Sequence, residues 1–109
     1  MQNDPIRELY DVVCERKKNS EEGSYTCYLF DEGLDKILKK CGEECAETII
    51  ASKNNDSAET INELSDLIYH LTVLMVNQGI SIDEVYGELE KRARKIGNLK
   101  NMKITDKNT

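Results

Sequence analysis

Two short acidic motifs carry the chemistry this chain could do: Glu43-Glu44-x-x-Glu47 and Glu63-x-x-Asp66. At about 100° per residue, positions three apart share one face of a helix. Glu44 with Glu47 therefore makes one ridge, and Glu63 with Asp66 another. If the two segments form an antiparallel hairpin turning at Asn54-Asn55-Asp56, residues equally distant from position 55 lie level across it. Glu44 then faces Asp66, Glu47 faces Glu63, and Lys40 and His70 share the next height. Around the first helix, Ile37, Cys41 and Cys45 fall to one side of Glu44, and Lys40, Glu43 and Glu47 to the other. Glu63 and Asp66 border the stripe made by Leu67, Leu71 and Leu74. The acids thus flank an apolar seam.

Two carboxylates about 5 Å apart repel by roughly 3 kcal/mol at an effective dielectric near 20. Four together must protonate, splay apart or bind cations. Hard oxygen ligands without imidazole favour Mg²⁺, with Mn²⁺ as a substitute. A cation held this way recruits phosphate to an acidic protein and activates water. Lys36 and Lys40 precede Glu44 by two turns and one turn on the same face. With Lys39 and the Arg16-Lys17-Lys18 run they could meet phosphate oxygens. The competing reading is a solvated acidic face neutralised by Lys36, Lys39 and Lys40. A di-iron centre needs Glu-x-x-His on two helices, and the single histidine, His70, stands four residues after Asp66.

The elements that must position these residues read as helices. The 109 residues suffice for one domain and are too few for two. A net charge of −6 argues against duplex DNA or an anionic membrane as partner. One proline and six glycines are too few for a many-turned β sandwich. No apolar run approaches the roughly 18 residues a membrane span needs. Cys14, Cys27, Cys41 and Cys45 form no C-x-x-C pair and no secretory leader precedes them, so we expect reduced packing residues in a cytoplasmic protein.

The spacing predicts a first helix from Pro5 to about Lys17, capped by Asp4, then a loop over Asn19–Cys27. A second helix should run from about Glu32 to Lys53, with Gly42 marking close approach of another backbone. A third should run from Ser57 to Gln78, opened by Asp56 and Glu59 as a variant capping box and stopped by Gly79. Its expected core stripe is Ile61, Leu64, Leu67, Ile68, Leu71, Leu74 and Met75. A fourth starts at the Ser81–Glu84 capping box, with Ile82, Val85, Leu89 and Ile96 on its stripe. From Leu71 to Val76 the third helix is apolar almost all round, which asks for two partners and implies a homodimer. The competing arrangement is a central helix in a monomeric bundle. The expected fold is all-α, a four-helix bundle-like domain over residues 1–97 followed by a flexible polar tail, 98–109.

These residues are also recognisable. Glu44-x-x-Glu47, a 15-residue spacer and Glu63-x-x-Asp66 resemble the signature of the all-α nucleoside triphosphate pyrophosphatases. Ser24-Tyr25-Thr26 before Leu29-Phe30, Gly33, Lys36-Ile37-x-Lys39-Lys40-x-Gly42-Glu43-Glu44 and Glu63-x-x-Asp66-Leu67-x-Tyr69-His70-Leu71 resemble the phosphoribosyl-ATP pyrophosphatase family of histidine biosynthesis, over about Leu9 to Arg92. The resemblance implies Mg²⁺-dependent hydrolysis of phosphoribosyl-ATP to phosphoribosyl-AMP and pyrophosphate by an obligate dimer. Glu44, Glu47, Glu63 and Asp66 would hold the metal, and Glu43 or Glu47 would orient the water. Arg16 and Lys40 would offset phosphate charge. Ser24, Tyr25, Thr26, Lys36 and His70 would contact substrate, unless Ser24 and Thr26 are caps and His70 only fills a hydrogen bond beside Asp66. The alternatives are a house-cleaning pyrophosphatase for free nucleotides and a non-catalytic helical dimerisation module.

Overall fold

The computed structural model describes residues 3–95, and every regular element among them is helical. In chain order these are α1 (Pro5–Lys18), α2 (Tyr25–Glu32), α3 (Leu34–Lys53), α4 (Ser57–Asn77) and α5 (Ile82–Ala93). The all-α expectation holds, with five helices where four are predicted. Ile96, the domain limit at 97 and the tail 98–109 lie outside the described residues.

The caps explain most of the boundaries. Asp4 accepts from the Arg7 amide at 3.0 Å, and Pro5 opens α1 where its missing N–H costs nothing. Asp56 caps α4 by accepting from the Glu59 amide at 3.0 Å. Both halves of the Ser81–Glu84 box are present at α5. The correction is α2, which occupies the end of the predicted loop. Ser24 accepts from the Cys27 amide at 3.2 Å and starts this helix, and Gly33 at φ +95° ends it. A backbone turned left-handed at Gly33 divides α2 from α3, so the long helix begins at Leu34.

The most extensive packing is α3 against α4. They are joined by Asn54, Asn55 and Asp56, with Asn55 at φ +56°, and so form the expected antiparallel hairpin. α1 packs on α4 and α2 closes over both partners. Val13, Leu29, Ile37, Val73 and Val76 form the buried centre. Polar contacts tie α5 and the turn before it to the start of α1: Tyr86 donates to Asp4 at 2.6 Å, Tyr10 donates to the Ile80 carbonyl at 2.9 Å, and Arg7 pairs with Asp83.

Three sequence expectations change. Buried Val73 and Val76 turn the supposed off-stripe side of α4 toward its own core, while Ile61, Leu64, Ile68 and Leu71 are exposed. Space is open beside Gly42, so among the described residues no backbone of another element approaches it. Cys45 is exposed and does not pack in the core.

Candidate functional site

The hairpin brings the acids together across its seam. Glu44 and Glu63 are only 6% and 7% exposed, and Asp66 is half-buried. One oxygen from each lies within 4.8 Å of the others. Two of these three carboxylates are therefore largely removed from water, and among the described residues none of the three has a salt-bridge partner within 4.0 Å. Burial, then the charges of Glu47 and Asp66, push the Glu44 carboxyl above its usual range. Glu63 is pushed up to about 7, first by the Glu59 carboxyl beside it, then by burial and by Glu47. Its Oε1 is buried and has no hydrogen-bond partner. A buried oxygen left without a donor, in a set of hard anionic ligands, fits a divalent cation.

Glu47 stands differently. It is exposed and lies outside the close trio, yet within hydrogen-bonding reach of Glu63. Glu59, Glu47 and Glu63 line a cleft of about 300 Å³ with Asn54 and Asp56 at the turn end of the hairpin. Glu59 is absent from the predicted set because its position three residues after Asp56 reads as half of a cap. Its spacing of four before Glu63, on the same face, is the signal that places it.

Lys40 and Glu43 form an ion pair at 3.2 Å, and Glu43 holds the Lys40 ammonium above its ordinary value. Glu43 thus faces Lys40 and is not one of the close carboxylate trio. A second cleft, about 320 Å³, lies between α2 and α3 and is lined by Tyr25, Tyr28, Lys36, Lys39, Lys40 and Glu43. The Tyr25 and Tyr28 rings stack with centroids 5.9 Å apart, and the Lys36 Nζ lies 5.7 Å from the Tyr28 ring centre.

His70 ties Tyr25, at the second cleft, to the backbone of Asp66 in the carboxylate trio. Its Nδ1 is 2.8 Å from the Asp66 carbonyl, which can only accept, so Nδ1 carries the hydrogen. In the neutral ring Nε2 then accepts from the Tyr25 hydroxyl at 3.1 Å. Burial pushes the Tyr25 phenol up, which keeps that proton in place. Thr26 bonds the Tyr69 hydroxyl and Ser24 caps α2, so the Ser24 and Thr26 hydroxyls both have structural partners. Arg16 pairs with Glu21 at 3.7 Å in the segment before α2. The candidate set omits Tyr28, Tyr69 and Glu59. Tyr28 belongs to α2, whose start falls inside the predicted loop, whereas Tyr69 lies on the predicted third helix and stands in the Asp66-Leu67-x-Tyr69-His70 motif without an assigned role.

Comparison with known proteins identifies the family of the chain. A family model described as phosphoribosyl-ATP pyrophosphohydrolase matches residues 6–93. A phosphoribosyl-ATP pyrophosphatase of Clostridium novyi (strain NT) is 50% identical over 97 residues, 89% of this chain and 88% of that one. One from Listeria welshimeri is 50% identical over 101 residues, covering 93% and 97%. The histidine biosynthesis bifunctional protein HisIE of Thermoanaerobacter pseudethanolicus is 58% identical over 83 residues, 76% of this chain and 38% of that longer protein. The match reaches from α1 to the end of α5 and covers nearly the whole of the shorter relatives, so the chain belongs to the phosphoribosyl-ATP pyrophosphohydrolase family.

Proposed function

We propose that this protein hydrolyses phosphoribosyl-ATP to phosphoribosyl-AMP and pyrophosphate, a step of histidine biosynthesis, in a Mg²⁺-dependent reaction. The observation that carries the reading is the buried trio of Glu44, Glu63 and Asp66 with its unpartnered Glu63 oxygen, in a chain of this family. Glu44, Glu63 and Asp66 hold the metal, and Glu47 completes the set from the exposed side. Magnesium (or manganese) supplies the positive charge that lets an acidic protein accept a triphosphate and makes water a better nucleophile.

This chain's own residues orient the reactants. Glu47, exposed beside the trio, accepts a proton from the attacking water; Glu43 is spoken for by Lys40. The water oxygen bonds to phosphorus as the bond to the pyrophosphate oxygen breaks, and Lys40 offsets charge on the phosphate oxygens. His70 and Tyr25 hold the α2 side of the site against the ligand helix.

The working unit is a homodimer in this reading. Support comes from Ile61, which is 64% exposed, and from Leu64, Ile68 and Leu71, which continue its stripe at spacings of three and four along α4. The expected compartment is the cytoplasm; among the described residues no helix is long and apolar enough to cross a membrane.

Pyrophosphate release from phosphoribosyl-ATP, set beside a panel of deoxynucleoside triphosphates, tests the reading. Activity should require Mg²⁺ and disappear with EDTA. Glu63→Gln should retain the helical circular dichroism signal and lose at least about 10²-fold in kcat, the scale of losing one preorganised electrostatic group. Near-normal turnover of that variant would remove Glu63 from the metal set. Turnover of the panel without phosphoribosyl-ATP would replace the substrate.

A further inference from the structure

The carboxylate trio can read only a polyphosphate, which every nucleoside triphosphate carries. Preference for phosphoribosyl-ATP, the substrate in the reading above on which this inference rests, must come from surface that meets what ATP lacks: a second phosphorylated ribose attached to the base. We infer that the cleft between α2 and α3 is this specificity site. Tyr25 and Tyr28 receive the purine, and Lys36 with Lys39 bind the phosphate of the added ribose.

Four observations converge there. The cleft holds about 320 Å³ and three of its six lining residues are lysines, in a chain whose net charge is −6. Among the described residues Lys40 is paired with Glu43, whereas Lys36 and Lys39 have no ion-pair partner within 4.0 Å. Two free ammonium groups at one cleft suit a phosphate dianion.

The tyrosines supply the second observation. Their rings lie 28° from coplanar and are 44% and 43% exposed, in a protein with few aromatics. An exposed stacked pair is a platform for a flat base, and base–aromatic stacking tolerates any purine face.

Position is the third. Lys40 and Lys36 precede Glu44 by one and two turns of α3, about 6 and 12 Å at 1.5 Å per residue. A nucleotide whose triphosphate sits at the carboxylates and whose base points toward the start of α3 runs along that line. Rigidity is the fourth: Tyr25 is tied through His70 to the backbone of Asp66, so platform and metal ligands keep a fixed separation. A fixed separation is what allows a site to measure a substrate's length.

The test compares the product phosphoribosyl-AMP with AMP, which lacks only the added sugar phosphate. Binding is measured by calorimetry with Mg²⁺ present. The double variant Lys36→Met/Lys39→Met should bind phosphoribosyl-AMP at least 10-fold more weakly and AMP within 2-fold of wild type. Its KM for phosphoribosyl-ATP should rise at least 10-fold while kcat moves less than 3-fold. The Lys36→Arg/Lys39→Arg variant should recover most of the loss, which also controls for folding. Tyr28→Leu should weaken AMP and phosphoribosyl-AMP alike. Unchanged phosphoribosyl-AMP binding in the methionine variant overturns the inference, as does an equal loss for AMP, which would mark a general charge effect. If wild-type protein releases no pyrophosphate from phosphoribosyl-ATP, the underlying reading falls and takes this one with it; if it does and only discrimination is unmoved, the specificity site alone is lost.

Discussion

Glu63 sits where the Glu59, Glu47 and Glu44 charges meet, and its carboxyl is pushed up to about 7. That figure sets a pH window. A carboxyl raised above its ordinary 4.5 favours the fold while protonated. Its contribution is fully present below about 4.5 and is lost as pH rises through about 7, in protein without divalent ions. Binding of the proposed cation would need the ionised form and so would displace this proton. Titrating Mg²⁺ into weakly buffered protein should release protons at pH 6.5 and almost none at pH 8.5. Glu59→Gln removes the largest cause of the shift and should move that window to lower pH; an unmoved window would show that Glu59 does not set it. At this scale the four motif acids are legible from sequence because helical periodicity and one short turn determine their register. Glu59 is not, since the same residue satisfies a capping pattern and sequence cannot say which neighbour wins its side chain.

Among the elements, α2 is the one that periodicity conceals. Eight residues give barely two turns, and Tyr25 and Tyr28 face outward, so no apolar stripe develops. The readable signal is Ser24 three residues before Cys27 together with Gly33. Because Tyr25 opens this helix, its cap should matter to both stability and binding. Ser24→Ala should lower stability by about 1 kcal/mol, the usual cost of losing an N-cap, and raise KM more than it lowers kcat. Denaturant melts and steady-state kinetics check the two parts; a stable variant with unchanged KM would detach α2 from substrate binding. Gly33 also explains why the expected start of the long helix falls two residues early: helical periodicity alone does not register a single left-handed residue.

For the whole molecule, sequence shows that α4 is apolar on two sides but cannot say which side meets its own protomer. Thr72, Val73 and Val76 resolve it by burial, leaving Ile61, Leu64, Ile68 and Leu71 outward. In the proposed homodimer a charge placed there should spare the protomer and divide the pair. Ile61→Glu, already the most exposed of the four, should retain its helical signal yet elute with a monomer's mass by light scattering. A dimeric variant would move the interface to another face.

The hairpin has one more consequence. Its clustered carboxylates come from adjacent segments joined by three residues, Asn54 to Asp56, so mutual repulsion arises as soon as the two arms zip together. The proposed cation would then be useful before any catalysis, as the counterweight that lets like-charged arms close early. On that proposal the chain's speed of self-assembly would follow the divalent content of its surroundings.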